Sequence, residues 1–145
     1  PNIDPKEEYI KRKEAFYDFC KIKEVKNVII DEYELDGFVK YVTDNVGKGK
    51  KYCIRCEYCY YLRLRKVFKY AKENNFDIVS TTLTISPYQN HELIKKVGKN
   101  LQEEYGIEFI YVDYREHFRE GQKMARGIGI YMQKYCGCIF STKVR

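Results

Sequence analysis

Tryptophan is missing from this sequence, histidine and methionine occur twice each, and proline three times in 145 residues. These shortages narrow the possible chemistry. The two histidines, His91 and His117, have no metal-binding partner at helical spacing, and so few imidazoles give Ser–His or Cys–His nucleophilic catalysis poor support. His91 reads as a surface residue in a first helical turn and His117 as a loop residue. No apolar run approaches the roughly 18 residues that span a bilayer. The glycine-rich stretch Gly47-Lys48-Gly49-Lys50-Lys51 lacks both the spacing of a P-loop and the Ser/Thr after lysine. It reads as a solvated basic turn or as an arm for phosphate groups. There is no internal repeat, low-complexity tract or linker, which predicts one domain over 1–145. The opening Pro1-Asn2-Ile3-Asp4-Pro5 turns charged at once, unlike a signal peptide. A first residue other than Met creates the expectation that a segment lies upstream.

What is present is charge, tyrosine and cysteine. Lys and Arg number 27 against 21 Asp and Glu, a net charge of +6 that weakly favours a polyanionic partner over a merely solvated surface. Fifteen tyrosines are interleaved with basic residues, as in Tyr58-Cys59-Tyr60-Tyr61-Leu62-Arg63-Leu64-Arg65, a pattern able to meet phosphates and stack bases. With no leader and closely spaced cysteines, a cytoplasmic location is expected, where such cysteines bind metal or do redox chemistry.

The periodicity predicts alternating helices and strands. Asp4 is placed as the cap of a first helix with Pro5 at its first position, and Phe16, Tyr17 and Cys20 face the core. Val28-Ile29-Ile30 is a short strand or loop running into Asp31. A second helix covers about 34–46. A long helix follows the central cysteines with a stripe of Leu64, Val67, Phe68 and Ala71, ending at Asn74-Asn75. A buried strand is expected at 77–83, then a helix capped by Asn90 carrying Leu93, Ile94, Val97 and Leu101 and closed by Gly106. A second strand at 107–113 and a helix from about 121 to 127 complete the order. Strand–helix–strand succession implies parallel strands, whose sites lie at their carboxyl ends. That places Ser80, Thr81, Thr82 and Ser86 at one end, and Asp113 and Arg115 at the other. Asp113 reads either as a site residue or as a salt-bridge partner of Arg115.

Six cysteines carry the sharpest signal. Cys53-Ile54-Arg55-Cys56-Glu57-Tyr58-Cys59 spaces its thiols by two residues, just before a helix whose N-terminal dipole favours thiolate. Spacing alone fits an iron–sulfur cluster and a structural zinc site equally. In Cys136-Gly137-Cys138 the glycine lets both sulfurs reach one ion or each other, and a disulfide there would be strained and redox-active. Cys20 reads as an apolar packer.

The motifs together resemble the QueH-type epoxyqueuosine reductases. The resemblance rests on Pro1-Asn2-Ile3-x-Pro5 with Glu8-Tyr9 and Lys11-Arg12, and on Arg55-Cys56-x-x-Cys59 entering a helix with Arg63-Leu64. It continues through Ser80-Thr81-Thr82-Leu83 with Ser86-Pro87, then Tyr111-Val112-Asp113-Tyr114-Arg115. It ends with Ile130-Tyr131-x-Gln133-x-Tyr135-Cys136-Gly137-Cys138-x-Phe140-Ser141, and so covers essentially the whole chain. It implies a Rossmann-like α/β domain and reduction of epoxyqueuosine to queuosine at the tRNA wobble position. It further implies a [4Fe–4S] cluster, a further iron ion nearby, and an electron donor. By that resemblance Cys56 and Cys59 are cluster ligands, and Cys136 and Cys138 a redox-active pair or ligands of the neighbouring iron. Asp113 is taken as catalytic, and Ser80, Thr81, Thr82, Ser86 and Arg115 as substrate-binding. Two departures stand out. The family's adjacent Cys-Cys motif, after its first strand, is absent here, so that strand is expected to be missing. Cys53 is extra to the pattern and reads as a bystander thiol, the alternative being that it substitutes as a ligand. The competing readings are a non-catalytic, zinc-stabilised RNA-binding domain and a thiol-based sulfur-transfer enzyme of the same broad class.

Overall fold

The computed structural model describes residues 1–26, 28–29, 32–52 and 54–142. Cys53, Ile30 and Asp31, which figure in the reading above, lie outside these residues. The chain divides into two compact units, Pro1–Val39 with Arg119–Arg145, and Lys40–Phe118.

The second unit holds the α/β architecture. Helix α3 (Arg55–Glu73) packs against α4 (His91–Tyr105), and both cover a parallel pair formed by β1 (Ile78–Val79) and β2 (Glu108–Phe109). Tyr60, Leu64, Phe68 and Ala71 repeat at helical spacing along α3 and are buried, whereas Val67 is 46% exposed and falls off the expected stripe. From α4, Ile94, Val97 and Leu101 are fully buried and meet Val79, Ile107 and Phe109. Asn90 caps α4, its side chain accepting from the Leu93 N–H at 3.1 Å, and Gly106 ends it in the left-handed region, both as the sequence predicts.

The strands are shorter than expected. Backbone bonds run from Glu108 N to Asp77 O (3.0 Å) and from Ile110 N to Val79 O (2.9 Å). Beyond Val79 the Ser80 hydroxyl takes the Ile110 carbonyl at 3.0 Å, and the chain coils into a 3₁₀ turn at Thr82–Ile85. Side-chain hydroxyls thus compete with the ladder where a longer strand is expected. The parallel α/β arrangement is present; its sheet has two strands among the described residues.

In the first unit α1 (Lys6–Ile22) begins after Pro5, which occupies the cap position without a side-chain bond, so Asp4 is not the cap. Cys20 is buried as expected, but Phe16 and Tyr17 are 45% and 48% exposed. The inward face of α1 is instead set by Glu8 and Cys20. Helix α2 (Asp36–Asn45) begins in the first unit and runs into the second; its first turn buries Phe38, whose ring lies 6.2 Å from Phe140. Helix α5 (Phe118–Gly127), entered through a 3₁₀ turn at Arg115–His117, starts three residues earlier than predicted, and α6 is the short Ile139–Thr142. No described helix is long and apolar enough to cross a membrane.

Candidate active site

The Cys136-Gly137-Cys138 loop belongs to the first unit and is held by the chain's opening residues. Arg12 donates from Nη2 to the Tyr135 carbonyl (2.8 Å) and from Nη1 to the Cys136 carbonyl (3.2 Å), while its guanidinium lies 5.2 Å from the Tyr135 ring centroid. Its Nε donates to Glu8 at 2.8 Å, and the Tyr131 hydroxyl donates to the other Glu8 oxygen at 2.7 Å. The Tyr135 hydroxyl reaches the Asp4 carbonyl, and the Asp4 N–H bonds the Gly137 carbonyl at 2.8 Å. Gly137 has φ +91°, and a Cβ there would lie 2.9 Å from Arg12 Nη1 and 3.1 Å from Ile3. Only glycine fits this turn without displacing the clamp. Cys136 is exposed, with Sγ 3.3 Å from the Ser141 hydroxyl, and Cys138 is half-buried.

Burial alone would raise the Glu8 carboxyl, but the hydrogen bonds from Tyr131 and Arg12 and the charges of Arg12 and Lys11 outweigh it and hold the group below its ordinary range. A depressed carboxylate stabilises the fold above the unfolded-state value of about 4.3 and loses that contribution as pH falls through the folded-state value. Glu8→Gln is therefore expected to be less stable than the parent at pH 7 and to converge on it in acid. Urea unfolding midpoints from pH 7 down to about 3 check this. Parallel curves over the whole range would mean that Glu8 ionisation does not support the clamp.

The other cysteines lie in the second unit. Cys56 and Cys59 stand three residues apart in the first turns of α3, on neighbouring positions of one face; Cys56 is exposed and Cys59 half-buried. Glu57 between them points the other way and is buried at 1% exposure, with Lys96 Nζ of α4 2.7 Å from its Oε1. This ion pair fixes the rotation of α3, and hence the outward direction of the thiols. Tyrosines flank the pair: Tyr58 stacks on Tyr41 at 3.6 Å between centroids, and Tyr61 on Tyr52 at 4.1 Å. Thiolate donors suit an iron–sulfur cluster, and Cys56 and Cys59, one turn apart and not buried, are residues that could hold one in part; Cys53 lies outside the described residues. Within neither unit do the described residues gather three or more His, Cys, Asp or Glu side chains.

At the carboxyl ends of the strands the remaining sequence candidates adjoin one another. Thr81 Oγ1 accepts from the Leu83 N–H (3.2 Å), Thr82 opens the 3₁₀ turn on the surface, and Ser86 Oγ accepts from the Tyr88 N–H (3.3 Å). Thr84 is fully buried, and its carbonyl accepts from the Tyr114 N–H (3.3 Å), joining this turn to the segment of Asp113 and Arg115. Arg115 grips Asp113 through Nε at 2.9 and 3.0 Å and Nη2 at 2.5 Å. These bonds, with the Arg115 backbone N–H, hold the Asp113 carboxyl well below the usual carboxylate range. Asp113 is thus both a strand-end residue and an ion-pair partner. His117 is exposed, 3.3 Å from Glu116.

Sequence comparison gives this arrangement a family. The model of the family "Epoxyqueuosine reductase QueH" matches residues 1–144. The chain belongs to the QueH family. A QueH epoxyqueuosine reductase of Thermotoga maritima is 35% identical over all of this chain and 77% of its own length. That of Staphylococcus aureus is 33% identical over 97% of this chain, which spans 62% of the relative. That of Dehalococcoides mccartyi is 29% identical over 100% and 76%, respectively.

In this QueH chain the structure brings Ser80, Thr81, Thr82, Ser86, Asp113 and Arg115 into one neighbourhood, with Cys56 and Cys59 in the same unit and Cys136 and Cys138 in the other. Sequence reading missed several residues that build these sites. His91 is buried rather than superficial: Nε2 donates to the Ser86 carbonyl at 3.1 Å, and Nδ1 pairs with the Tyr111 hydroxyl at 2.8 Å. Its place beside the Asn90 cap gives no hint of this. The Glu8 and Arg12 clamp carried a faint signal, an i,i+4 ion pair within a QueH-like motif.

Proposed function

We propose that this chain, an oxidoreductase of the QueH family, reduces epoxyqueuosine to queuosine in the anticodon wobble position of tRNA. The observation that carries this reading is the family match over residues 1–144, which spans both cysteine motifs and the strand-end hydroxyls.

Deoxygenation breaks both C–O bonds of the epoxide, forms a C=C bond, consumes two electrons and two protons, and releases water. Cys56 and Cys59 would hold a [4Fe–4S] cluster in part, which would supply electrons one at a time, and a further iron ion would act as Lewis acid. The protein's own residues bind and orient. Ser80 donates its proton to Ile110, leaving oxygen lone pairs to accept from a substrate hydroxyl. Thr81 and Ser86 each accept a backbone N–H and keep an O–H to donate. Thr82 presents its hydroxyl at the surface beside them. Asp113, kept ionised by Arg115, accepts from the ring diol, and the remaining N–H groups of Arg115 face a phosphate or carbonyl. Cys136 and Cys138 take part as thiols. Oxidised together to a disulfide, they would release the two electrons and two protons that the reaction consumes; the alternative role is to ligate the second iron. An external reductant, acting in the cytoplasm, restores the enzyme after each turnover.

The test is iron, zinc and acid-labile sulfide analysis with a visible spectrum on anaerobically purified protein, followed by reduction of epoxyqueuosine-containing tRNA. Iron with sulfide and formation of queuosine are expected. Stoichiometric zinc without sulfide, and loss of folding on chelation, would instead support a zinc-stabilised RNA-binding domain.

A further inference from the structure

We infer that Tyr88 is a stacking platform for an unpaired nucleobase of the RNA substrate. The inference deepens the proposed function by naming the residue that holds the splayed base.

Tyr88 leaves 85% of its surface in solvent, against 60% for the next most exposed large apolar side chain among the described residues, Ile29. Exposure alone would be unremarkable for a residue on a loose loop, but this turn is braced on every side. The Tyr88 N–H bonds Ser86 Oγ, and the Gln89 N–H bonds the Ser86 carbonyl at 3.3 Å. That carbonyl also takes the buried His91 Nε2–H, and His91 is fixed through Tyr111, over whose ring Lys95 Nζ sits at 4.6 Å. From the other side the buried Tyr60 hydroxyl donates to Gln89 Oε1 at 2.8 Å and accepts from the Asn90 N–H at 3.0 Å. The ring of Tyr88 meets Phe118 edge to face, at 5.9 Å and 82°, so Phe118 does not stack on it.

Two consequences follow. The ordering entropy of the turn is met in the free protein, so a base that stacks on Tyr88 gains contact without fixing a loop. Tyr60 follows Cys59 directly in α3, so the braced turn is registered against the helix that carries the proposed cluster ligands. Ser86, two residues from Tyr88, belongs to the strand-end hydroxyls. An aromatic face on the same turn as hydrogen-bonding hydroxyls suits single-stranded RNA with a base turned outward.

The experiment uses Tyr88→Leu, Tyr88→Phe and Tyr88→Trp with an anticodon stem–loop carrying epoxyqueuosine, and a fully paired RNA of equal charge as control. Leucine keeps apolar bulk but removes the π face, and is expected to weaken stem–loop binding roughly 5- to 150-fold. The loss should fall on KM more than on kcat, and phenylalanine should restore most of the affinity. Because this sequence has no other tryptophan, emission of Tyr88→Trp should respond to the stem–loop and not to the paired RNA. Parental affinity in Tyr88→Leu, or unchanged tryptophan emission, would overturn the inference. If the tryptophan responds but no variant or parent reduces the nucleoside, the platform stands and the reductase reading falls. If Tyr88→Leu reduces it at the parental KM, the reverse holds.

Discussion

Replacing Cys59 with alanine is expected to give a folded, colourless protein with activity at the assay background. Cys59 is half-buried on the first turns of a 19-residue helix, and alanine is the best helix former, so α3 persists. The buried stripe of Tyr60, Leu64 and Phe68 and the Glu57–Lys96 pair lie on other positions and keep α3 seated. What disappears is the sulfur proposed as a cluster ligand, and an iron–sulfur cluster deprived of a ligand is lost or degraded. Cys56→Ala should behave alike. Cys20→Ala is the control: its thiol is buried in the first unit, and its loss should cost on the order of 1 kcal/mol while colour and iron remain. Circular dichroism, iron content and the visible spectrum of the three variants decide the matter. A Cys59→Ala protein with full iron and activity would remove the central cysteines from the mechanism.

Gly98→Ala should destabilise the protein by about 1–3 kcal/mol, despite the roughly 1 kcal/mol that alanine gains over glycine in a helix interior. Gly98 lies within α4, and a Cβ built on it would fall 2.1 Å from Cε1 of Phe109. That ring is 8% exposed, packs 6.2 Å from Phe68, and belongs to the strand β2 backbone bonded through Ile110. It has no room to swing away, so α4 must move off the sheet or the ring must leave its rotamer. Denaturant midpoints provide the measurement. Adding Phe109→Leu to Gly98→Ala should recover part of the loss, because the two changes share one contact. Additive or stabilising behaviour would show that the helix–sheet spacing is not set by this glycine.

The elements that the sequence announced are those with strong periodicity or unambiguous punctuation. Asn90 and Gly106 bracket α4 because a side-chain oxygen and a left-handed residue act locally. The fold class was legible for the same reason, from alternation of strand and helix patterns. The strands came out too long because Ser80 and Thr81 satisfy backbone groups that a ladder would otherwise use, and composition does not reveal that choice. Apolarity predicts Phe16 and Tyr17 inward, yet the inner face of α1 carries the carboxylate of Glu8, which is buried because Arg12 and Tyr131 satisfy it. Such polar cores defeat hydrophobic patterning. The chemical residues fared differently. Their spacing and their likeness to a family made Cys56, Cys59, Cys136 and Cys138 visible, while the second layer that aims them came only with the fold. Arg12, Glu57 and His91 are ordinary surface residues by type and became structural through partners far away in the sequence.

The grip of Arg12 on the Tyr135 and Cys136 carbonyls joins positions separated by 123 and 124 residues. The entropy of closing so long a loop grows only logarithmically, by about 0.6 kcal/mol for each doubling of length. Adding or removing a few residues at an exposed turn such as 47–49 therefore changes the closure cost by a negligible amount. The first unit is discontinuous in the chain, with the second unit spliced between its two halves. Its cysteine loop is thereby insulated from length drift in that insert. A change of length within 1–12 or 131–141 would instead move Asp4, Glu8 and Arg12 out of register with Tyr131, Tyr135 and Gly137, whose hydrogen bonds they share.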